Sequence, residues 1–184
     1  MTPPSPAAGI RRLRRIYAHL PLGILALIVA RTTPSTTLLG LIPVALGLLL
    51  RIWASGFLEK GGELCTDGPY RYLRHPLYLG SLLAAVGFCI MVNVIWGWLI
   101  ILPLFALIYA LQVVDEERHL REAYGAAHEQ YARRVPALLP LLGRVGAAQG
   151  RRWSGHRVFV NREHWHLLVT LGFTALFAAR TWLW

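Results

Sequence analysis

Apolar and polar positions in this chain are segregated into blocks. Apolar runs cover 16–32, 38–58, 76–92, 94–114 and 165–184, and charged or turn-forming stretches separate them. Runs of 17 to 21 residues make helices roughly 25–31 Å long, enough to cross the hydrocarbon of a bilayer. Thr33-Pro34-Ser35-Thr36 predicts a turn between the first two runs, and Asn93 a tight turn between the third and fourth. The third and fourth helices are therefore expected as antiparallel neighbours with both outer ends at one membrane surface. Arg180 interrupts the last run near its far end, where a long side chain can snorkel to the headgroups. This pattern predicts an all-α polytopic membrane bundle of about five transmembrane helices plus a cytoplasmic amphipathic helix, although an interfacial helix would give the last run a similar pattern.

The amphipathic helix is predicted over 115–135. Leu120, Tyr124, Ala127 and Tyr131 recur at helical spacing and form an apolar stripe among charged neighbours. Stepping back four residues at a time reaches Glu116 and then Gln112. On that phase Glu116 points toward the packed side, and Glu117, turned about 100° away, pairs with Arg121 at the helix surface. The helix is expected to continue the fourth span out of the membrane and to bend near Gly125.

Composition supports the membrane reading. Of 184 residues 55% are hydrophobic, and the mean hydropathy is +0.47. The net charge of +10 (19 basic, 9 acidic) would fit nucleic-acid binding, but the basic residues flank apolar runs, as the positive-inside rule requires. Arg11–Arg15, the loop with Lys60, Arg71 and Arg74, and the segment 115–163 are separated by even numbers of crossings. The N-terminus and both polar loops, with any active site, are thus expected on the cytoplasmic side of a bacterial inner membrane, and the C-terminus outside. Arg11–Arg15 before a short apolar run also fits a leader peptide, but the run passes straight into a second one, which predicts a retained helix. The chain reads as one membrane domain: a hairpin over 16–58, a core over 59–140, then a basic linker and terminal helix over 141–184, with Gly143–Gly155 flexible. Cys65 and Cys89 form no disulfide framework, and no metal site is expected, since His164 and His166 beside Glu163 lack further ligands.

Chemistry concentrates at the polar hinge Gly68–Gly80. Arg74 and His75 sit at the membrane surface, and Pro76 takes the first helical position, where its missing N–H costs nothing. The free N–H groups of that first turn favour hydrogen-bond acceptors or negative charge. Tyr70, His75 and Tyr78 are expected to share a pocket with Glu116, suited to a polar small molecule beside lipid. Arg51 lies about 10 Å inside the second span. It can meet a substrate's charge, snorkel, or pair with Glu59.

In sequence the hinge reads Gly-x-Tyr-(x)3-Arg-His-Pro-x-Tyr-x-Gly. Glu116-Glu117 with Tyr124-Gly125 follow, then Tyr131 with Val135-Pro136 and Pro140. Together these resemble the isoprenylcysteine carboxyl methyltransferase family and its phospholipid methyltransferase relatives, over about residues 60–140. The resemblance implies an integral-membrane enzyme using S-adenosylmethionine, with a lipid-like or hydrophobic acceptor entering from the bilayer. Carried over by position, Tyr70, His75, Pro76, Leu77, Tyr78, Glu116 and Glu117 would touch the cofactor, and the loop at Leu64 and Cys65 would add backbone contacts. The carboxyl methyltransferases hold their substrate with an arginine four residues before the cofactor glutamate. Here that position is Gln112, a neutral amide, which makes Glu116, Gln112 and Arg51 the candidates at the acceptor. Methyl transfer from a sulfonium is a direct displacement. A carboxylate or thiolate acceptor needs no strong base, whereas an amine must lose a proton, to Glu116, Glu117 or His75. Two other classes share parts of the pattern: an NADPH-dependent membrane reductase of the sterol-reductase type, and a membrane scaffold without activity.

Overall fold

The computed structural model describes residues 20–59, 62–139 and 148–183, and among these every regular element is helical. The helices are α1 (Leu20–Val29), α2 (Pro34–Phe57), α3 (Pro76–Val92), α4 (Leu102–Tyr124), α5 (Ala126–Arg134), α6 (Gly155–Val160) and α7 (Glu163–Leu183). A short 3₁₀ turn, Gly68–Arg71, precedes α3, and a π-helical turn, Gly97–Ile101, leads into α4. The expectations for Arg11–Arg15, a leader or retained helix from Ile16, Lys60 and Pro140 lie outside the described residues, as do positions 143–147 of the linker.

The turn expected at Thr33–Thr36 is instead the start of α2. Thr33 is its N-cap: Thr36 N donates to Thr33 Oγ1 at 3.2 Å, Thr33 N donates back to Thr36 Oγ1 at 3.0 Å, and Pro34 occupies the first turn. Threonine and proline serve a helix start as well as a turn, so composition alone did not separate the two. The chain reverses earlier, where Arg31 N donates to Val92 O (2.9 Å) and Asn93 Nδ2 donates to Arg31 O (3.1 Å). Asn93 adopts the left-handed conformation (φ 53°) and ends α3 where expected.

Two of the described helical stretches, Pro34–Phe57 and Gly97–Tyr124, are long and apolar enough to cross a membrane, and α3 is a shorter apolar helix. The most extensive helix contact joins α2 to α3, antiparallel, along a seam of glycines. Gly40 faces Gly87 and Gly47 faces Gly80; a Cβ on Gly47 would lie 2.3 Å from Gly80 O, and one on Gly87 2.5 Å from Gly40 O. Only glycine lets the two backbones approach this closely, which maximises dispersion contacts where apolar surroundings supply no hydrophobic drive.

Helix α7 runs antiparallel along α2. Glu163 meets Arg51 at one end, and Thr181 Oγ1 meets Thr37 Oγ1 at 2.7 Å at the other. Between them Phe177 is buried with Ala26 of α1 and Ala30 just beyond it, Val44 and Leu48 of α2, and Met91 and Val92 of α3. Arg180 does not extend away from the bundle, because Nε donates to Ala30 O at 3.1 Å, one of the carbonyls left open at the end of α1. Helix α4 contacts the bundle by one face, where Tyr109 is buried, while Leu104, Leu107 and Leu111 are exposed.

The described part of the expected flexible linker is held in place. The Asp67 carboxylate accepts from Gln149 N (2.9 Å) and Arg151 N (2.8 Å). Ser154 N donates to Gly56 O (3.0 Å), Asn161 Nδ2 to Ser55 O (2.9 Å) and Leu58 O (2.8 Å), and Trp153 Nε1 to Ile52 O (3.4 Å). The donors to Ser55, Gly56 and Leu58 satisfy carbonyls that the end of α2 leaves open, so helix-end geometry orders a segment whose composition reads as loop.

The seam gives a direct stability test. Gly47→Ala is expected to cost about 1–3 kcal/mol through overpacking and to lower the thermal midpoint of the detergent-purified protein. Gly172→Ala, where a Cβ meets open space, is expected to leave the midpoint unchanged or raise it slightly. Equal midpoints for the two variants would remove the seam from the account.

Candidate active site at the hinge

The hinge is fixed from the far side by α5 and the residues after it. Arg74 N donates to Pro136 O (2.8 Å) and His75 N to Ala137 O (3.0 Å). Tyr131 Oη donates to Tyr70 O (2.7 Å), and Tyr124 Oη to Gly62 O (2.6 Å). The Val-Pro segment is thus a short backbone partner for the Arg-His pair, and the two tyrosines tie α4 and α5 to the loop. Pro76 is buried at the first position of α3. Cys65 is buried with Ala54 and Tyr70, its thiol directed at Phe57 O (3.5 Å), and Leu77 packs against the same cluster. Leu64 is half-buried on the loop before the hinge.

A charged cluster sits beneath this hinge, centred on Glu117. Its carboxylate accepts from Arg74 Nη1, meets His75 Nε2 at 2.6 Å, and lies 3.5 Å from His128 Nε2, a contact not aligned as a hydrogen bond. His75 and His128 are 3% and 1% exposed, so these rings are inside the protein. The expected pairing of Glu117 with Arg121 is therefore replaced by inward contacts. Glu116 is half-buried, and its charge acts on Tyr70. Both carboxylates thus lie on the packed side of α4. Gln112, Glu116, Leu120 and Tyr124 are all half-buried, as the stripe predicts, and Val113 and Glu117 beside them are half-buried too, so the packed face of α4 is wider than one row. Gly125, with φ of 49° and ψ of −124°, ends α4; beyond it Tyr131 is buried as expected, but His128 takes the inward place expected of Ala127, which is exposed.

From His75 a row of rings runs along α3 and α4: Tyr78 at 5.7 Å, Tyr109 edge-on to Tyr78 at 5.3 Å, and Phe105 stacked on Tyr109 at 4.7 Å. Ser81 hydrogen-bonds with Tyr109 and accepts from Arg51 Nη1 at 2.5 Å. Arg51 neither snorkels nor meets Glu59. It is paired with Glu163 through Nε (2.5 Å) and Nη2 (3.0 Å), and Nη1 also donates to Leu77 O (2.8 Å). Glu59 pairs instead with Arg151 (3.3 Å) and Arg157 (3.4 Å). Gln112 is half-buried one helical turn before Glu116. His164 stacks on Phe159 with centroids 5.7 Å apart, and among the described residues no group of three or more His, Cys, Asp or Glu is placed to hold a metal ion.

Burial sets the protonation states. It holds the Tyr70 hydroxyl well above the ordinary tyrosine range, reinforced by the charge of Glu116, and it raises Cys65 and Tyr131 as well. These groups stay neutral near pH 7 and act as donors. Burial also lowers His128, against the opposing pull of Glu117. Arg74 Nε and both ring nitrogens of His128 are buried with no hydrogen-bond partner among the described residues. Beside a carboxylate, such groups fit a ligand that carries both donors and acceptors.

Sequence reasoning brought Tyr70, His75, Tyr78 and the glutamate pair to one surface. It passed over Arg74 as a topology charge, and it missed His128, Ser81, Asp67 and Glu163. Only Glu163 carried a signal, as an acid directly preceding an apolar run.

Comparison with protein-family models matches residues 35–127, half of the chain, to the phospholipid methyltransferase family. The chain belongs to this family. The matched range holds Arg51, the hinge and both glutamates, and ends one residue before His128. Among relatives, the cobalt-zinc-cadmium resistance protein CzcN of Cupriavidus metallidurans is 35% identical over 112 residues, 60% of this chain and 51% of that protein. The nickel-cobalt-cadmium resistance protein NccN of Alcaligenes xylosoxydans is 35% identical over 105 residues, 56% of this chain and 49% of that protein. The protein-S-isoprenylcysteine O-methyltransferase of Schizosaccharomyces pombe is 34% identical over 88 residues, 46% of this chain and 36% of that protein. The chain thus spans about half the length of the first two relatives and less of the third. No solved structure matches it significantly. Family and relatives together support a membrane methyltransferase.

The lowered His128 makes stability pH-dependent. The unfolded chain takes up a proton as pH falls through the ordinary imidazole range, near about 6.5, while the folded protein resists it, so stability falls with falling pH. The thermal midpoint is expected to drop between about pH 7.5 and pH 5.5, and His128→Gln to flatten that slope. An unchanged slope in the variant would contradict the assignment.

Proposed function

We propose that the chain is an integral-membrane, S-adenosylmethionine-dependent methyltransferase acting on a lipid-like or hydrophobic acceptor. The observation that carries this reading is convergence. Hinge, glutamate pair and Val-Pro segment, separated in sequence, meet around Glu117, where buried donors and acceptors stand ready for a polar ligand. In this reading Tyr70, His75, Pro76, Leu77, Tyr78, Glu116 and Glu117 line the cofactor site, and Leu64 and Cys65 contribute backbone from the loop. When bound, the cofactor supplies a methyl group activated by its sulfonium.

The residues of the chain do the rest. Arg74, His128 and Glu117 are suited to the charged amino-acid end of the cofactor. The neutral hydroxyl of Tyr70 and the rings of Tyr78, Tyr109 and Phe105 wall the site against water, which desolvates a nucleophile before attack. Glu116 is the group best placed to take a proton if the acceptor is an amine, and Gln112, one turn deeper, can hold the acceptor by hydrogen bonds. For topology, the reading is five crossings with the hinge on the cytoplasmic side of a bacterial inner membrane; α7 running antiparallel along α2 from Glu163 to Thr181 supports counting α7 as one of them. The exposed leucines of α4 then face lipid, through which an acceptor's apolar tail reaches the rings.

Calorimetry with S-adenosylmethionine on detergent-purified protein, followed by transfer of labelled methyl from it into a lipid extract, tests the proposal. Saturable binding and labelled lipid are expected. Glu117→Gln is expected to weaken binding by about 1–3 kcal/mol, because it removes the charged partner of three buried groups. Absence of binding in the wild-type protein would refute the reading.

A further inference from the structure

Glu163 lies outside the range matched to the family, yet it makes the most heavily engaged ion pair among the described residues. Its two oxygens meet Nε and Nη2 of Arg51 at 2.5 and 3.0 Å, and the two side chains are 10% and 6% exposed. Nη1 donates to Leu77 O and to Ser81 Oγ. A guanidinium has five N–H donors, so four bonds leave at most one for any other group. Arg51 nevertheless stands in the wall of the candidate site. Leu77 and Ser81 flank Tyr78 on α3, Ser81 also bonds Tyr109, and the charge of Arg51 acts on both Tyr70 and Tyr109.

We propose that Glu163 is a specificity-determining residue: by saturating Arg51 from a segment beyond the family core, it denies the acceptor cleft a free cation and excludes carboxylate-bearing amphiphiles. The inference rests on the methyltransferase reading and deepens it by assigning the charge class of the acceptor. An anionic headgroup could reach Arg51 only by displacing a bidentate carboxylate. That exchange gains no new type of contact and strands Glu163 as a buried, unpaired charge. A neutral or cationic acceptor meets no such penalty, and Gln112 adds no positive charge. Helix α7 therefore does more than pack: it sets the electrostatics of the cleft it closes.

The test compares binding of dodecanoate and dodecanol, identical in tail and differing in charge, to the full-length protein in neutral-lipid nanodiscs, read by tryptophan fluorescence. The wild type is expected to show no preference for dodecanoate. Glu163→Gln, which keeps the shape and frees the cation, is expected to raise the affinity for dodecanoate about tenfold and to leave dodecanol unchanged. Arg51→Gln combined with Glu163→Gln is expected to return both to wild-type values. A folded Glu163→Gln variant with no gain for dodecanoate overturns the proposal. Should that variant not fold, the double variant, which buries no unpaired charge, decides: a wild-type preference for dodecanoate that it abolishes means that Arg51 is already available and overturns the proposal, whereas equal binding of both probes by both proteins supports it. S-adenosylmethionine binding, measured in parallel, distinguishes this failure from that of the methyltransferase reading, since an incorrect enzyme class shows as no cofactor binding in the wild type whatever the probe ratio.

Discussion

The close approach of α2 and α3 is the constraint on which the rest of the structure depends. Two glycines on each helix, seven residues apart and facing each other in antiparallel order, bring the backbones together without intervening side chains. Where the seam ends at Gly80, the next residue on the α2 face is Arg51, and its stem lies on that glycine. A wider helix pair would hold the guanidinium away from Leu77 O and Ser81. The hydrogen bonds that place Arg51 beside the rings of Tyr78 and Tyr109 are thus a consequence of the glycine pair Gly47 and Gly80 one turn away.

Charge buried at this depth requires compensation, and the protein supplies it in two separate places. Glu117 is surrounded by Arg74, His75 and His128, drawn from the hinge and from α5. Arg51 is matched by Glu163 from α7. Each group taken alone would cost several kcal/mol to desolvate; as sets they hold segments together that are distant in sequence. The two clusters differ in completeness. Four of the five N–H donors of Arg51 are bonded to Glu163, Leu77 and Ser81, while the Glu117 cluster keeps buried ring nitrogens and a guanidinium N–H without partners among the described residues. The Glu117 cluster is therefore the one that keeps buried polar atoms to spare.

The C-terminal segment belongs to the same construction. Its backbone and side-chain donors close the open carbonyls at the end of α2, Asp67 fixes its approach to the hinge loop, and α7 fills the groove beside α1 and α2. The matched family range, which ends at residue 127, supplies no partner for these carbonyls and no Glu163 for Arg51.

Periodicity and composition determined much by themselves. An uninterrupted apolar run can only be satisfied as a helix in apolar surroundings, and so α3 and its limits at Pro76 and Asn93, the continuous passage of the fourth run into α4, and the gathering of hinge and glutamates at one end were all legible. The local ambiguity of Thr33–Thr36 was not, because the same side chains cap helices and form turns. Nor was the inward facing of Glu117, since the packed face of α4 is wider than the row through Glu116, or the burial of His128, since helical phase propagates only along an unbroken helix and Gly125 breaks it. The partners of Arg51, Glu117 and Asp67 were decided by tertiary structure alone. Which opposite charge meets a buried ion depends on the close approach of segments up to 112 residues apart, and no local pattern encodes that distance.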